Sequence, residues 1–258
     1  MSNSPLATYT RITKNKTSPR NHAIDTITIH CIVGQWTAKQ GCDYFATTDR
    51  QCSANYVVGK DGSIGLSVDE KDRSWCSSNG TNDNRAITIE VASDTTHPYA
   101  VTAKAYAALL DLVTDICKRN GIKKLVWSTN KNDRVNHRNG CNMTVHRDFA
   151  NKACPGEYLY SRHGEIAAEV NKRLEAAKAG KDEEAMDTKQ LTSCADTGDN
   201  PSAWAKEATD YCKRKGIFAG DGAGNYGWQK PITREATAQI IYNLLEAAGM
   251  LEKLPDVK

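Results

Sequence analysis

Two short segments of the chain alternate apolar and polar residues in nearly the same order. They read Ile27-Thr28-Ile29-His30-Cys31 and Ile87-Thr88-Ile89-Glu90-Val91. Because successive side chains of a strand point to opposite faces of a sheet, the alternation predicts two strands that share a buried aliphatic face. His30 and Glu90 would then lie on the opposite face, which is polar.

Other segments complete the pattern of an α/β domain. Asn55 to Val58 is a candidate third strand. Thr102 to Asn120 has apolar residues at helical spacing, and Gly121 follows where a helix C-cap is expected. A further helix is predicted from about His163 to Lys178. Strands interspersed with helices predict an α/β domain that ends near residue 175.

The composition changes after this domain, because the chain becomes rich in Ala, Lys, Glu and Asp. We therefore predict a first domain over residues 1–175, a linker over 176–190 and a small, mainly helical domain over 191–258. Two amphipathic helices are expected in the small domain, at about residues 202–215 and 233–248.

Charge and targeting signals limit the functional classes. The net charge of +3 is compatible with an anionic partner such as a cell wall and does not require nucleic acid. The polar N-terminus lacks the apolar region of a secretory signal, and no apolar run is long enough to span a membrane. A cytoplasmic protein is expected, unless something else releases it. The nine cysteines lack disulfide-framework spacing, so most are expected to be free, buried thiols.

His146 and Cys154 are eight residues apart and can converge on one metal ion. With His30 they offer two nitrogens and one thiolate, which zinc accepts while keeping a fourth position open for water. Taken singly these residues are ambiguous, since a strand histidine is often an ordinary polar residue and a cysteine an ordinary buried thiol. Spacing alone leaves a metal site and a structural role both open.

Three segments together resemble the type-2 N-acetylmuramoyl-L-alanine amidases, a family that includes phage amidases and peptidoglycan-recognition proteins. They are Ile-Thr-Ile-His ending at His30, Ile-Thr-Ile-Glu ending at Glu90, and His-Arg-Asp-Phe-Ala-Asn-Lys-Ala-Cys-Pro-Gly from His146 to Gly156. The resemblance covers roughly residues 20 to 175. It implies a mixed central sheet flanked by helices, with His30, His146 and Cys154 as ligands of Zn²⁺.

The same resemblance implies two catalytic residues and a reaction. Glu90 would take a proton from water and pass it to the leaving amine, and Lys152 would steady the developing oxyanion. Without the motif these would be read as a solvent-facing strand glutamate and a surface lysine. The implied reaction is hydrolysis of the amide between N-acetylmuramic acid and L-alanine of the stem peptide.

The sequence departs from the family pattern at two positions. Ala54 stands where many relatives have a tyrosine, and Tyr56 is not a substitute for it. A tyrosine-assisted mechanism is therefore excluded, and the catalytic role moves to Glu90. Cys76 stands where relatives often have histidine, so a substrate contact is expected to differ there.

Residues from about 194 to 248 resemble a single S-layer-homology repeat, which implies binding to a secondary wall polymer. The matching segments are Trp204 to Ala208, Lys215 to Gly222 and Pro231 to Glu235. The glycine-rich segment 220–227 is interpreted as a turn, not a calcium loop. Because one repeat buries little apolar area, oligomerisation through this domain is a hypothesis. An internal translation start at Met186 would supply further copies, although a plain charged linker is the simpler interpretation.

Three functions compete at this point. The first is a lytic amidase with a wall-binding domain, such as a phage or prophage endolysin of a Gram-positive host, released through a membrane pore. The second is a recognition protein that binds muropeptides without cleaving them. The third is a cytosolic zinc protein unrelated to cell walls. The complete set of candidate ligands and catalytic residues favours the first.

Overall fold

The computed structural model describes residues 2–177, 201, 205–218, 226–228, 232 and 234–250 of the chain. The chain divides into two compact units, Met1–Lys178 and Ala179–Lys258. Most of the predicted linker and residue Met186 lie outside the described residues. The boundaries of the predicted domains therefore stay predictions.

The first unit is a mixed α/β domain, as predicted from the sequence. Its strands are β1 (Tyr9–Thr10), β2 (Lys16–Thr17), β3 (Thr26–Val33), β4 (Tyr56–Val58), β5 (Ile64–Leu66), β6 (Arg73–Ser74), β7 (Ala86–Ser93) and β8 (Met143–Thr144). Its helices are α1 (Ala38–Thr47), α2 (Gly80–Arg85), α3 (Ala103–Asn120), α4 (Lys131–Val135), α5 (Gly156–Ser161) and α6 (residues 163–177). Six strands form one mixed sheet in the order β1-β5-β4-β7-β3-β8, while β2 and β6 form an antiparallel pair.

The two segments that alternate in sequence are the central strands of this sheet. Strands β3 and β7 run parallel, so that Ile29 lies beside Ile89 and His30 lies beside Glu90. This register places both polar residues on one face of the sheet, as predicted. Any shift by one residue would exchange the two faces.

The aliphatic face of the sheet packs against α3. The residues that the sequence assigned to the apolar stripe of α3 are all buried: Leu109, Leu112, Val113 and Ile116. The helix begins after Thr102, whose side chain accepts a hydrogen bond from the Ala105 N–H. It ends at Gly121, which adopts a left-handed conformation (φ 70°) that glycine takes without steric cost. The predicted helix and its C-terminal cap are confirmed, and the helix begins one residue later than predicted.

The opposite face carries a buried network of hydroxyl and amide groups below the candidate site. Thr28 on β3 shares a hydrogen bond of 2.7 Å with Thr144 on β8, and Asn82 donates to Thr28 and accepts from Thr144. Thr88 on β7 shares a hydrogen bond of 2.7 Å with Ser74. Because these groups satisfy one another, the polar face is buried without leaving those groups unpaired.

The second unit is described in part and contains two helices, α7 (Lys206–Arg214) and α8 (Arg234–Ala247). Both predicted helices are present, with shorter bounds. Ile241, Tyr242 and Leu244 on α8 are about half exposed. Residues 220–225 of the predicted glycine-rich turn lie outside the described residues. In the described part of the chain no helix has the length and apolar character needed to cross a bilayer.

Candidate active site

Three predicted ligand residues converge at one edge of the sheet. His30 lies on β3 two residues beyond Thr28, the last residue that pairs with β8. His146 lies two residues beyond the end of β8, which runs parallel to β3, so the chain brings the two histidines side by side. The short loop after His146 returns the chain to Cys154. One ligand atom from each residue lies within 4.8 Å of the others, and Cys154 Sγ is 3.4 Å from His30 Nδ1.

The arrangement fits a zinc ion in distance, and the two histidines also fit it in protonation state. Tetrahedral zinc with typical N and S bond lengths holds its ligand atoms about 3.6 Å apart, close to the separation of Cys154 Sγ and His30 Nδ1. Burial, together with the neighbouring His146 and His163, keeps the pKa of His30 well below its ordinary value. His30 is therefore a neutral imidazole, the form that binds metal. Zinc itself remains a proposal.

Glu90 faces this cluster from the adjacent strand. Its Oε1 lies 4.0 Å from His30 Nδ1, and its Oε2 is buried without a hydrogen-bond partner among the described residues. Burial raises the pKa of Glu90 to about 7, against a small opposing effect of the Cys76 thiol. A carboxyl group with a pKa near neutrality can both accept and give up a proton under ordinary conditions.

Lys152 lies at the exposed side of the same site. It lines a cavity of about 520 Å³ together with His146, Arg73 and Trp75. Burial lowers the pKa of His146, and the positive charge of Lys152 lowers it further. The structure therefore brings Lys152 next to the cluster, while its role stays a prediction.

The departures from the family pattern have clear structural counterparts. Ala54 is fully buried. Tyr56 is also fully buried, donates its hydroxyl hydrogen to Glu70 at 2.6 Å and accepts the Ser4 N–H at 2.7 Å. Tyr56 thus has a structural role in the core. Cys76 lies 3.8 Å from Glu90 Oε1, where its thiol is a weak hydrogen-bond donor.

A second cavity shares Trp75 and Cys76 with the first. It has a volume of about 330 Å³ and is lined by Glu90, Cys31 and several aromatic rings, among them Trp36 and Tyr44. Trp75, Cys76, Cys52 and His146 line both cavities. The two cavities therefore meet beside the candidate metal cluster, as a cleft requires if a substrate extends to both sides of the reacting bond.

The sequence analysis missed an ion pair that supports the loop of His146. Asp148 accepts two hydrogen bonds from Arg134, at 2.9 and 2.5 Å, and a third from the Val145 N–H at 3.2 Å. Both side chains are buried. The Arg134 guanidinium lies over the Trp127 ring, 4.5 Å from its centroid. The position of Asp148, two residues after His146, could have indicated a role near the site. Its partner Arg134, in α4, was not predictable from spacing.

The sequence was compared with models of known protein families and with curated protein sequences. The family model described as N-acetylmuramoyl-L-alanine amidase matches residues 20–157, and the chain belongs to this family. No curated protein sequence gave a match.

Several solved structures are similar in part of the chain. The structure of PlyL is 16% identical, covers 63% of this chain and 95% of its own, and gives a TM-score of 0.49. An AmpD derivative is 19% identical, with 64% and 96% covered and a TM-score of 0.48. The endolysin amidase LysCS from Clostridium intestinale is 16% identical, with 64% and 97% covered and a TM-score of 0.44.

Proposed function

We propose that the protein is a zinc-dependent peptidoglycan hydrolase that cleaves the amide between N-acetylmuramic acid and L-alanine of the stem peptide. The observation that carries the proposal is the convergence of His30, His146 and Cys154 beside the partly buried carboxylate of Glu90, whose Oε2 has no hydrogen-bond partner among the described residues. Membership of the amidase family supports the same chemistry. Three ligands leave one coordination position open, which is the arrangement of catalytic zinc sites.

The proposed roles follow from the positions of the side chains. His30, His146 and Cys154 would hold the ion, and zinc at this position would supply a Lewis acid for the amide carbonyl and for the attacking water. Glu90 accepts the proton of the attacking water at its carboxylate and delivers it to the nitrogen of the leaving L-alanine. The Lys152 ammonium group lies on the open side, where it stabilises negative charge developing on the carbonyl oxygen.

Product analysis on purified Gram-positive peptidoglycan tests this proposal. New L-alanine N-termini without new reducing sugar ends are expected, and they should not form with the Glu90→Gln variant. A protein that binds peptidoglycan but frees no amine would instead be a recognition protein, and the hydrolase proposal would be wrong. Release of reducing ends would indicate cleavage of the glycan and not of the amide.

We further propose that the second unit binds a secondary wall polymer and that the protein acts as an endolysin, of phage or prophage origin. The support is the resemblance of segments in residues 194–248 to a wall-binding repeat, much of which lies outside the described residues. The inactive Glu90→Gln protein should sediment with intact walls and much less with walls stripped of secondary polymers. Equal sedimentation with both would contradict wall-polymer binding.

A further inference from the structure

Two positive charges line the cavity of about 520 Å³ beside the candidate metal cluster, those of Arg73 and Lys152. Neither side chain forms an ion pair with any residue that the structure describes. By contrast, the buried guanidinium group of Arg134 is paired with Asp148. Lys152 has a proposed role in the reaction, whereas Arg73 has none. The charge of Arg73 is therefore available to a ligand in this cavity.

Contacts with two neighbouring segments fix the position of the Arg73 guanidinium group. Arg73 lies opposite Thr17 in the antiparallel pair of β2 and β6, and its Nη2 donates a hydrogen bond of 2.7 Å to Thr17 Oγ1. The indole N–H of Trp75 donates to the same oxygen at 2.9 Å. On the other side, Nη1 lies against Gly80, where a Cβ atom would overlap it. The absence of a side chain at position 80 therefore leaves room for the guanidinium group.

This guanidinium group has more donors than the protein uses. It carries five N–H donors, and its one hydrogen bond to a described residue goes to Thr17. Nε of Arg73 is buried and has no acceptor among those residues. The planar fork of a guanidinium group matches the two oxygens of a carboxylate. Unused donors of this geometry at a cavity wall point to a carboxylate on the ligand.

Asp83 is the acidic residue in the described lining of the same cavity, but it has other partners than Arg73. Its carboxylate is buried and accepts hydrogen bonds from the N–H groups of Cys76 and Ser77, at 3.0 and 3.1 Å. With Arg73 and Lys152 the lining carries two positive charges against one negative charge. The excess positive charge favours an anionic part of a ligand in this cavity.

We propose that Arg73 is a specificity-determining residue, which binds the free α-carboxylate of the D-glutamate at the second position of the stem peptide. The inference rests on the proposed function, which places the amide of L-alanine at the metal cluster. D-Glutamate follows L-alanine and continues the peptide through its γ-carboxyl group, so its α-carboxylate is free unless it is amidated. This carboxylate is the first negative charge on the peptide side of the cleaved bond. His146 belongs both to the cluster and to the lining of the Arg73 cavity.

Recognition by Arg73 would distinguish stem peptides with D-glutamate from those with D-isoglutamine, the amidated form. Amidation replaces the carboxylate by a neutral group of nearly the same size, which also brings N–H donors towards those of Arg73. A hydrogen-bonded charge pair is then lost. The acid form should therefore bind about 10–100-fold more tightly than the amide form.

The test uses two synthetic muramyl tripeptides that differ only at the α-carboxyl group of D-glutamate, which is free in one and amidated in the other. The C-terminal carboxyl group is blocked in both. Binding to the full-length Glu90→Gln protein is measured by calorimetry, and amine release is followed with the protein that retains Glu90. The acid form should bind more tightly by the factor given above. Arg73→Gln, added to the same protein, should abolish this preference by weakening the binding of the acid form alone.

Two further variants separate this contact from a general loss of structure, and circular dichroism checks the fold of each. Gly80→Ala keeps both cations but fills the space next to Arg73 Nη1, so it should reduce the preference for the acid form. Arg50→Gln removes the arginine that lines the cavity of about 330 Å³ and should leave the preference unchanged.

Equal binding of the two tripeptides by the protein that retains Arg73 would overturn the inference. A preference that persists in Arg73→Gln, or that is lost in Arg50→Gln instead, would overturn it as well. Preferential binding of the acid form without amine release would contradict the hydrolase proposal and not the carboxylate contact. The two failures are therefore distinguishable.

Discussion

The two faces of strands β3 and β7 differ in what their residues do, although the residues alternate along the same strands. On one face Ile27, Ile29, Ile87 and Ile89 are fully buried in the aliphatic core against α3. On the other, Thr28 and Thr88 belong to hydrogen-bond networks, His30 belongs to the candidate metal cluster, and Glu90 faces that cluster. Parallel pairing in register keeps the two sets apart. One face is therefore expected to determine stability and the other activity.

The largest effect should come from Glu90 on the polar face. Glu90→Gln removes the proton carrier and is expected to lower amide hydrolysis by about 10²–10⁴-fold. The free energy of unfolding should stay the same or rise, because the variant loses a partly buried carboxylate whose Oε2 has no hydrogen-bond partner among the described residues. Glu175→Gln, an exposed glutamate on α6, is the control in both assays. A variant that unfolds but keeps its specific activity would reverse the assignment of the faces.

The next effect concerns the ion pair below His146. Asp148→Asn leaves Arg134 buried without its countercharge, which is expected to cost about 3–5 kcal/mol of unfolding free energy. Zinc affinity, measured by chelator competition, should fall about 10–100-fold, since residues that orient metal ligands have effects of this size. Asp111→Asn removes an exposed partner of Arg173 and should cost no more than about 1 kcal/mol. Unchanged zinc affinity in Asp148→Asn would show that the ion pair does not position His146.

A substitution on the aliphatic face should have the opposite effect to Glu90→Gln: it should lower stability and leave activity nearly unchanged. Ile89→Ala creates a cavity in the core and is expected to destabilise the protein by about 2–5 kcal/mol in urea unfolding. Specific activity, corrected for the folded fraction, should change little. Val33→Ala, at the exposed end of the same sheet, is the matched control and should lie within about 0.5 kcal/mol of wild type. A loss of activity in fully folded Ile89→Ala would mean that the two faces are not separate.

The smallest effect concerns the pH dependence of stability, which a buried titratable side chain outside strands β3 and β7 is expected to cause. His163 on α6 is fully buried, and burial lowers its pKa to about 4. An unfolded histidine has a pKa of about 6.5, so acid favours the unfolded chain. The contribution of the buried, neutral His163 to the free energy of unfolding is complete above pH 6.5. It is lost as the pH falls towards 4, by up to about 3 kcal/mol. His163→Leu should weaken the dependence of the unfolding free energy on pH, measured in urea titrations at several pH values. An unchanged pH dependence would mean that other groups cause it.

Much of this organisation could be predicted from the sequence, because its signals are local. Alternation predicted β3 and β7, helical spacing predicted α3, and Gly121 predicted the C-terminal end of α3. The candidate residues His30, His146 and Cys154 were found through motif resemblance, and the structure places them together. Whether each performs its proposed role stays a prediction.

Other features could not be predicted because they depend on contacts between segments far apart in the chain. The pairing of Arg134 with Asp148, the aromatic cavity and the contact of Cys154 with His30 all require the fold. The short strands β1, β2 and β8 have two residues each and carry no periodicity. Helix α1 did have a local signal, since Thr37 and Gln40 form a capping box.

Metal reconstitution tests the central claim most directly, because that claim joins the polar face to zinc-dependent hydrolysis. Zinc content and amine release from peptidoglycan would be measured on the purified protein, after chelation, and after zinc is restored, with Cys154→Ser in parallel. The account predicts one zinc ion per chain, loss of amine release with the metal, recovery on its return, and weak zinc binding without activity in the variant. Full amine release by the zinc-free protein, or undiminished zinc binding and activity in Cys154→Ser, would contradict it.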